Sequence, residues 1–357
     1  VDLKSHLKDL CAVAAPSGYE APARDVIRAA WADWVDAFSV DGMGSLIAVK
    51  HGTGSEPRRK IMLCAHMDEI GLIVSEIRDG FIRTSTLGAI DYRVLLAQPV
   101  IVHGRRALKG VFGAAPPHMA RSRKEYPEAD ELWIDVGLPA AEVMELVRVG
   151  DVITFDAPPF DLKGERVAGK SMDNRISVAA VTVCLHALSR CLHTWDVIAV
   201  ASAQEESAGS GAASAAYSVQ PDIAIVLDGS YGKQKGAGDD ESFPLGEGPT
   251  IGRGPNFHPL LAKALHKTAK DQDIKCHVEI MPGNSHTDAW AVQVSRAGIP
   301  TALIGIPMVN MHTPAEVVDV RDIRRAGRLM AAFITELEPD FLDEIVYSMP
   351  DEKDKDS

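Results

Sequence analysis

From Asp173 onward the chain alternates helical patterns with short apolar runs, and this alternation constrains its fold more than any other feature. The periodicity predicts helices at 174–190, 208–217, 259–271, 288–297 and 320–337, with strands between them at 196–203, 222–228, 275–280 and 300–306. Strands separated by helices imply a largely parallel sheet with helices on its faces, because parallel neighbours need long crossovers. The first 68 residues speak the same language: helices at 2–14 and 20–34, a strand at 45–50 after the Asp41-Gly42 turn, and a strand at 60–65 buried on both faces.

Between residues 69 and 161 the grammar changes. Residues 71–77 and 81–86 flank an Arg78-Asp79-Gly80 turn as in a hairpin, and 100–102, 107–112, 132–135 and 152–155 read as further short strands. The chemistry-bearing residues fall on both sides of this stretch. We therefore expect one discontinuous α/β domain, 1–68 with 162–349, carrying an inserted β-rich domain at 69–161 and ending in a charged tail at 350–357.

At 357 residues and 46% hydrophobic content, the chain can bury a full core and a smaller second one. A net charge of −13 and a pI near 5.4 argue against nucleic-acid binding, and the one basic run, Arg121-Ser-Arg-Lys124, is short. The five cysteines form no Cys-x-x-Cys pair and read as reduced thiols. No run of about 18 apolar residues occurs, and the start lacks the apolar core of a signal peptide. A cytoplasmic protein without membrane or nucleic-acid partners is expected, unless a leader was removed.

Gln204-Glu205-Glu206 places two carboxylates just past an apolar strand, on the rim where open α/β sheets build their sites. Side chains that alternate there could take different roles. His66 and Asp68, Asp173, Asp228 and His312 occupy other strand ends or loops. Each has an ordinary explanation: a loop histidine, a turn former, a helix N-cap, helix-dipole partners, a strand-end turn, and for His312 a neighbouring capping box in Thr313-Pro-Ala-Glu316. Together they have the ligand types of a two-metal site for Zn²⁺, Co²⁺ or Mn²⁺, in which one carboxylate bridges.

The motifs His66-Met-Asp-Glu-Ile-Gly71, Gly169-Lys-Ser-Met-Asp-Asn-Arg175, Gln204-Glu-Glu206, Leu227-Asp228, Thr287-Asp-Ala289 and Met311-His-Thr-Pro-Ala-Glu316 resemble, in order, the signature of the M42 metallo-aminopeptidases. Pro16-Ser-Gly-Tyr-Glu20 is similar as well, and the resemblance spans about residues 3 to 338. It implies a zinc-peptidase-like α/β fold with two divalent metal ions. Asp173 would bridge them, His66 and Asp228 completing one site and Glu206 and His312 the other. Glu205 would be the general base, and Asp68 would fix the tautomer of His66. A cis peptide at Asp173-Asn174 is also implied, as is a homo-oligomer, dimer or hollow dodecamer, paired through the inserted domain. Peptides with a free N-terminus would be the substrates.

The loop Pro282-Gly-Asn-Ser-His-Thr-Asp288 departs from the pattern at Ser285 and His286, which leaves specificity open. His286, Thr287 and Asp288 are the candidate substrate contacts. Two rival activities keep part of the constellation: a metal-dependent N-acyl amino acid deacylase or carboxypeptidase, and a glycoside hydrolase with paired carboxylates. A non-catalytic scaffold would have no use for Glu205.

Overall fold

The computed structural model describes residues 2–115, 131–238 and 241–344. The basic run at 121–124 and the charged tail at 350–357 lie outside the described residues. Among the described residues, the main sheet has 11 strands. Its centre is parallel: Asp196–Ser202, Lys60–His66, Ile223–Tyr231 and Thr301–Val309 lie side by side in that order. These strands are buried along most of their length, which is why they read as continuous apolar runs and not as alternating ones. Antiparallel strands flank the centre, Leu46–Lys50 and Ala37–Val40 on one side, Glu316–Asp319, Arg166–Gly169 and Phe160–Asp161 on the other.

Helix Met172–Leu188 is buried almost all round, because the sheet covers one side and helices Leu3–Ala12 and Val320–Glu336 cover the other. Helices Ser210–Val219 and Asp288–Gln293 cover the opposite face, where Ala212, Ala215, Ala216 and Val292 meet Met62, Val200 and Val226. The expected α/β architecture is what the chain forms.

The second region is a closed barrel of six strands: Gly71–Arg78, Phe81–Leu87, Trp133–Asp135, Ala107–Gly113, Pro99–His103 and Val152–Phe155, in that order around it. It has its own core, including Leu72, Val100, Val102, Phe112, Ile134 and Ile153. Closure pairs every strand edge, so a small sheet can persist without a neighbour. Helix Ala140–Leu146 belongs to this region and was not anticipated; its seven residues are too few to show a clear period.

Several boundaries differ from the sequence reading, three of them near the site or the domain junction. Phe160–Asp161 already pairs with the main sheet, so the α/β region resumes slightly before residue 162. The helix expected at 288–297 ends at Gln293. The strand expected to stop at Asp228 continues to Tyr231, because its pairing with Thr301–Val309 runs from Ala224↔Thr301 through Tyr231↔Met308. No helix among the described residues is long and apolar enough to cross a membrane.

Candidate metal centre

Strands Asp196–Ser202 and Ile223–Tyr231, consecutive in the main sheet, lie on opposite sides of Lys60–His66. A sheet that reverses its winding direction leaves a crevice at the strands' C-terminal ends. Here the pairing of Lys60–His66 with Ile223–Tyr231 stops at Cys64↔Val226. Beyond that point the strands part, and His66 and Asp228 face the gap.

The two histidines address opposite oxygens of one carboxylate. Nε2 of His66 lies 3.3 Å from Asp173 Oδ1, and Nε2 of His312 lies 3.3 Å from Asp173 Oδ2. Asp228 Oδ1 is 3.8 Å from His66 Nε2, Glu206 Oε2 is 3.6 Å from His312 Nε2, and Glu205 Oε2 is 3.8 Å from His66 Nε2. Six residues from five segments thus converge. Of the remaining four sequence candidates, Asp68 lies behind His66, and the three substrate-contact candidates lie otherwise. Asp288 is buried and accepts from Ser202 Oγ and Cys64 Sγ, the Thr287 hydroxyl accepts from the Ala289 amide at the helix start, and His286 is exposed in its loop.

The donor set fits a metal ion. Two ligands of one tetrahedral zinc, each about 2.0–2.1 Å from it, stand about 3.3 Å from one another, the spacing of each histidine from Asp173. His66, Asp173 and Glu206 can each offer a ligand atom within 4.8 Å of the others. Asp173 Oδ1 and Glu206 Oε1 are buried without a hydrogen-bond partner, which is unfavourable unless a cation satisfies them. Burial, reinforced by Asp173 and opposed by His66, pushes the Glu206 and Asp228 carboxyls well above their usual range. Burial also opposes ionisation of Asp173, yet His312 and His66 hold it well below that range.

The scaffold around these groups was only partly legible. Glu205 and Glu206 do not extend the strand, as the alternating-side argument assumed. Strand Asp196–Ser202 ends first, Gln204 takes a left-handed conformation at φ +58°, and both glutamates sit in the first turn of helix Glu205–Ala208. Asp68 sets that turn, accepting from the amides of Glu205 and Glu206 at 3.1 Å each, while its contact with His66 Nδ1 is a longer 3.4 Å. Glu20 accepts from the amides of Gly18 and Gln204, and Ser17 bonds Ser207, so the Pro16–Glu20 motif buttresses the same turn.

Glu316 is no capping residue. It opens a strand, is buried, and accepts from the amides of Asp173 at 3.1 Å and His312 at 2.8 Å, locking two facing segments together. The expected cis peptide Asp173–Asn174 is present, and Asn174 donates to the carbonyl of Leu227, beside Asp228. A buried ion pair lies behind the centre: Lys170 Nζ is 2.6 Å from Glu69 Oε2, and Glu69 also binds Ser171 and the amide of Ala15.

A family model described as M42 glutamyl aminopeptidase matches residues 44–329. This chain belongs to that family. M42 membership makes it a peptide-bond hydrolase and accounts for the divalent-metal character of the centre. A lysyl aminopeptidase of Pyrococcus furiosus is 34% identical over 90% of this chain and 94% of its own length. An aminopeptidase of the archaeon Desulfurococcus kamchatkensis matches structurally with a TM-score of 0.88 at 35% identity, covering 96% of this chain and 98% of that one. The TET1 peptidase of Pyrococcus horikoshii, whose structure is described as assembling into a tetrahedron or a large octahedral shell, matches at a TM-score of 0.82 and 29% identity, over 94% of this chain and 100% of that one.

Proposed function

We propose that this M42 chain is a dinuclear-metal aminopeptidase that releases N-terminal amino acids from peptides. The observation that carries this reading is the placement of two histidines against opposite oxygens of Asp173. Asp173 would bridge two cations, with His66 and Asp228 holding one and Glu206 and His312 the other. Imidazole with carboxylates suits Zn²⁺ or Co²⁺, and Mn²⁺ less well. When bound, such a pair supplies Lewis acidity, acidifying a water and polarising the scissile carbonyl.

Glu205 is the proton carrier. Burial pushes its carboxyl up to about 8 against the pull of His66, with Asp288, Asp173 and Asp68 adding to the rise. Its Oε2 stands 3.8 Å from His66 Nε2 at the edge of the centre, where the carboxylate can take a proton from the attacking water and return it to the leaving amine. Asp68 acts as a positioning residue by fixing the helix turn that aims Glu205.

The pocket's charge favours a substrate ammonium. The cluster is lined by the carboxylates of Asp68, Asp173, Glu205, Glu206 and Asp228, which are acceptors for an ammonium and not partners for a carboxylate, so a free α-amine is favoured over a free carboxylate. That separates an aminopeptidase from a deacylase or carboxypeptidase. Of the loop candidates we assign substrate contact to His286, because Thr287 caps a helix and Asp288 is buried. The likeness to TET1 supports a homo-oligomer, and we assign it as a dimer or dodecamer with the barrel as the pairing surface. The five unpaired cysteines accord with a reducing, cytoplasmic setting.

The test is to strip the protein with chelator and assay aminoacyl chromogenic substrates, their N-acetylated counterparts and a glycoside after adding Zn²⁺, Co²⁺ or Mn²⁺. Activity should return with metal and only on unblocked amines. Cleavage of the acetylated substrates or of the glycoside would replace this reading with a rival.

A further inference from the structure

Among the described residues, the barrel reaches the metal centre at the corner that follows its second strand. After strand Phe81–Leu87 the chain turns through Gly88 and Ala89 and reaches the half of the cluster that holds His312 and Glu206. Gly88 has φ +83°, and a Cβ built on it would meet Glu206 Oε2 at 3.0 Å, Glu206 Cβ at 3.4 Å and Ile70 Cγ2 at 2.9 Å. A side chain there would press on both Ile70 and Glu206, and each would have to give way. The other half of the cluster is oriented within the α/β region, where Asp68 stands behind His66.

We propose that the Gly88–Ala89 corner of the barrel is a positioning element for one of the two cation seats, leaving Glu206 its place because Gly88 has no side chain. This rests on the dinuclear reading and adds to it an asymmetry: the His66–Asp228 seat is built by the sheet, whereas the His312–Glu206 seat is completed by the barrel.

The experiment is calorimetric titration of the chelator-stripped full chain with Co²⁺, followed in parallel by the visible absorption of the bound ion. Wild type should take up two ions. Gly88→Ala should keep one at near wild-type affinity and bind the other about 10- to 100-fold more weakly, the range found when groups that orient a ligand are lost. Adding His66→Ala to Gly88→Ala should remove the remaining ion.

Gly137→Ala is the control. Gly137 lies in the same region at φ +68° with nothing within 4 Å of its Cβ position, so it imposes similar backbone strain without touching a ligand. It should bind two ions like wild type. If Gly88→Ala melts before titration, Ile70→Ala/Gly88→Ala removes the aliphatic clash and keeps the carboxylate one, and the selective loss should persist. Two ions at unchanged affinity in both Gly88 variants, equal weakening of both seats, or the same loss in Gly137→Ala would overturn the proposal. A wild type that binds a single ion would overturn the dinuclear reading itself, and the proposal with it.

Discussion

The rim of the parallel sheet and the interior of the barrel solve opposite problems. The barrel core is apolar throughout, Leu72, Val100, Phe112, Ile134 and their neighbours filling a closed cylinder that needs only shape. The sheet rim buries Asp68, Glu69, Asp173, Asp228, Asp288 and Glu316, drawn from segments far apart in the chain, an arrangement that packing alone would never stabilise. The difference teaches where sensitivity lies. Changes at the rim act on chemistry, changes in the barrel act on stability, and the two should separate cleanly except at Gly88–Ala89.

Asp173→Ala offers the largest effect by which to break this contrast. It should abolish binding of both ions, read by metal analysis after dialysis, and reduce turnover to background. Glu205→Gln should retain both ions and lower kcat by about 10²- to 10⁴-fold, the usual contribution of a positioned proton carrier. If Glu205→Gln loses the ions and Asp173→Ala keeps them, the roles are reversed.

Lys170→Met tests the layer behind the rim. It leaves the Glu69 carboxylate buried without its ammonium and should lower unfolding free energy by about 3–5 kcal/mol in a denaturant titration at neutral pH. Burial disfavours the Glu69 charge, but Lys170 and Arg175 hold its pKa below the ordinary 4.5. In wild type that stabilisation is therefore present above about pH 4.5 and is lost as pH falls through the depressed value. In Lys170→Met the buried carboxyl prefers its proton, so the penalty relative to wild type should shrink as pH falls.

Ile134→Ala, in the barrel core, should cost about 2–5 kcal/mol of stability by leaving a cavity. The kcat/KM per folded molecule should stay at the wild-type value. A large fall in kcat/KM with intact folding would mean that the barrel governs the site through more than its one corner.

The parallel centre of the sheet was legible because strands buried on both faces leave apolar runs such as Ile61–Ala65 and Ile223–Leu227 with helices between them. The barrel's strands were legible too, from alternation and the Asp79-Gly80 turn. Asp228 was placed at a strand end because polarity rises there, but continued pairing with Thr301–Val309 carries the strand past it. Glu316 was hidden by its resemblance to a capping box, since only tertiary structure shows that its carboxylate holds the amides of Asp173 and His312. Gly88 carries no sequence signal at all; its significance is the space that its missing side chain leaves to Glu206.

Anomalous diffraction from crystals soaked in Co²⁺ or Zn²⁺ would test the central claim most directly. We predict two peaks flanking the Asp173 carboxylate, one between His66 and Asp228 and the other between His312 and Glu206. A single peak, or peaks away from Asp173, would contradict it.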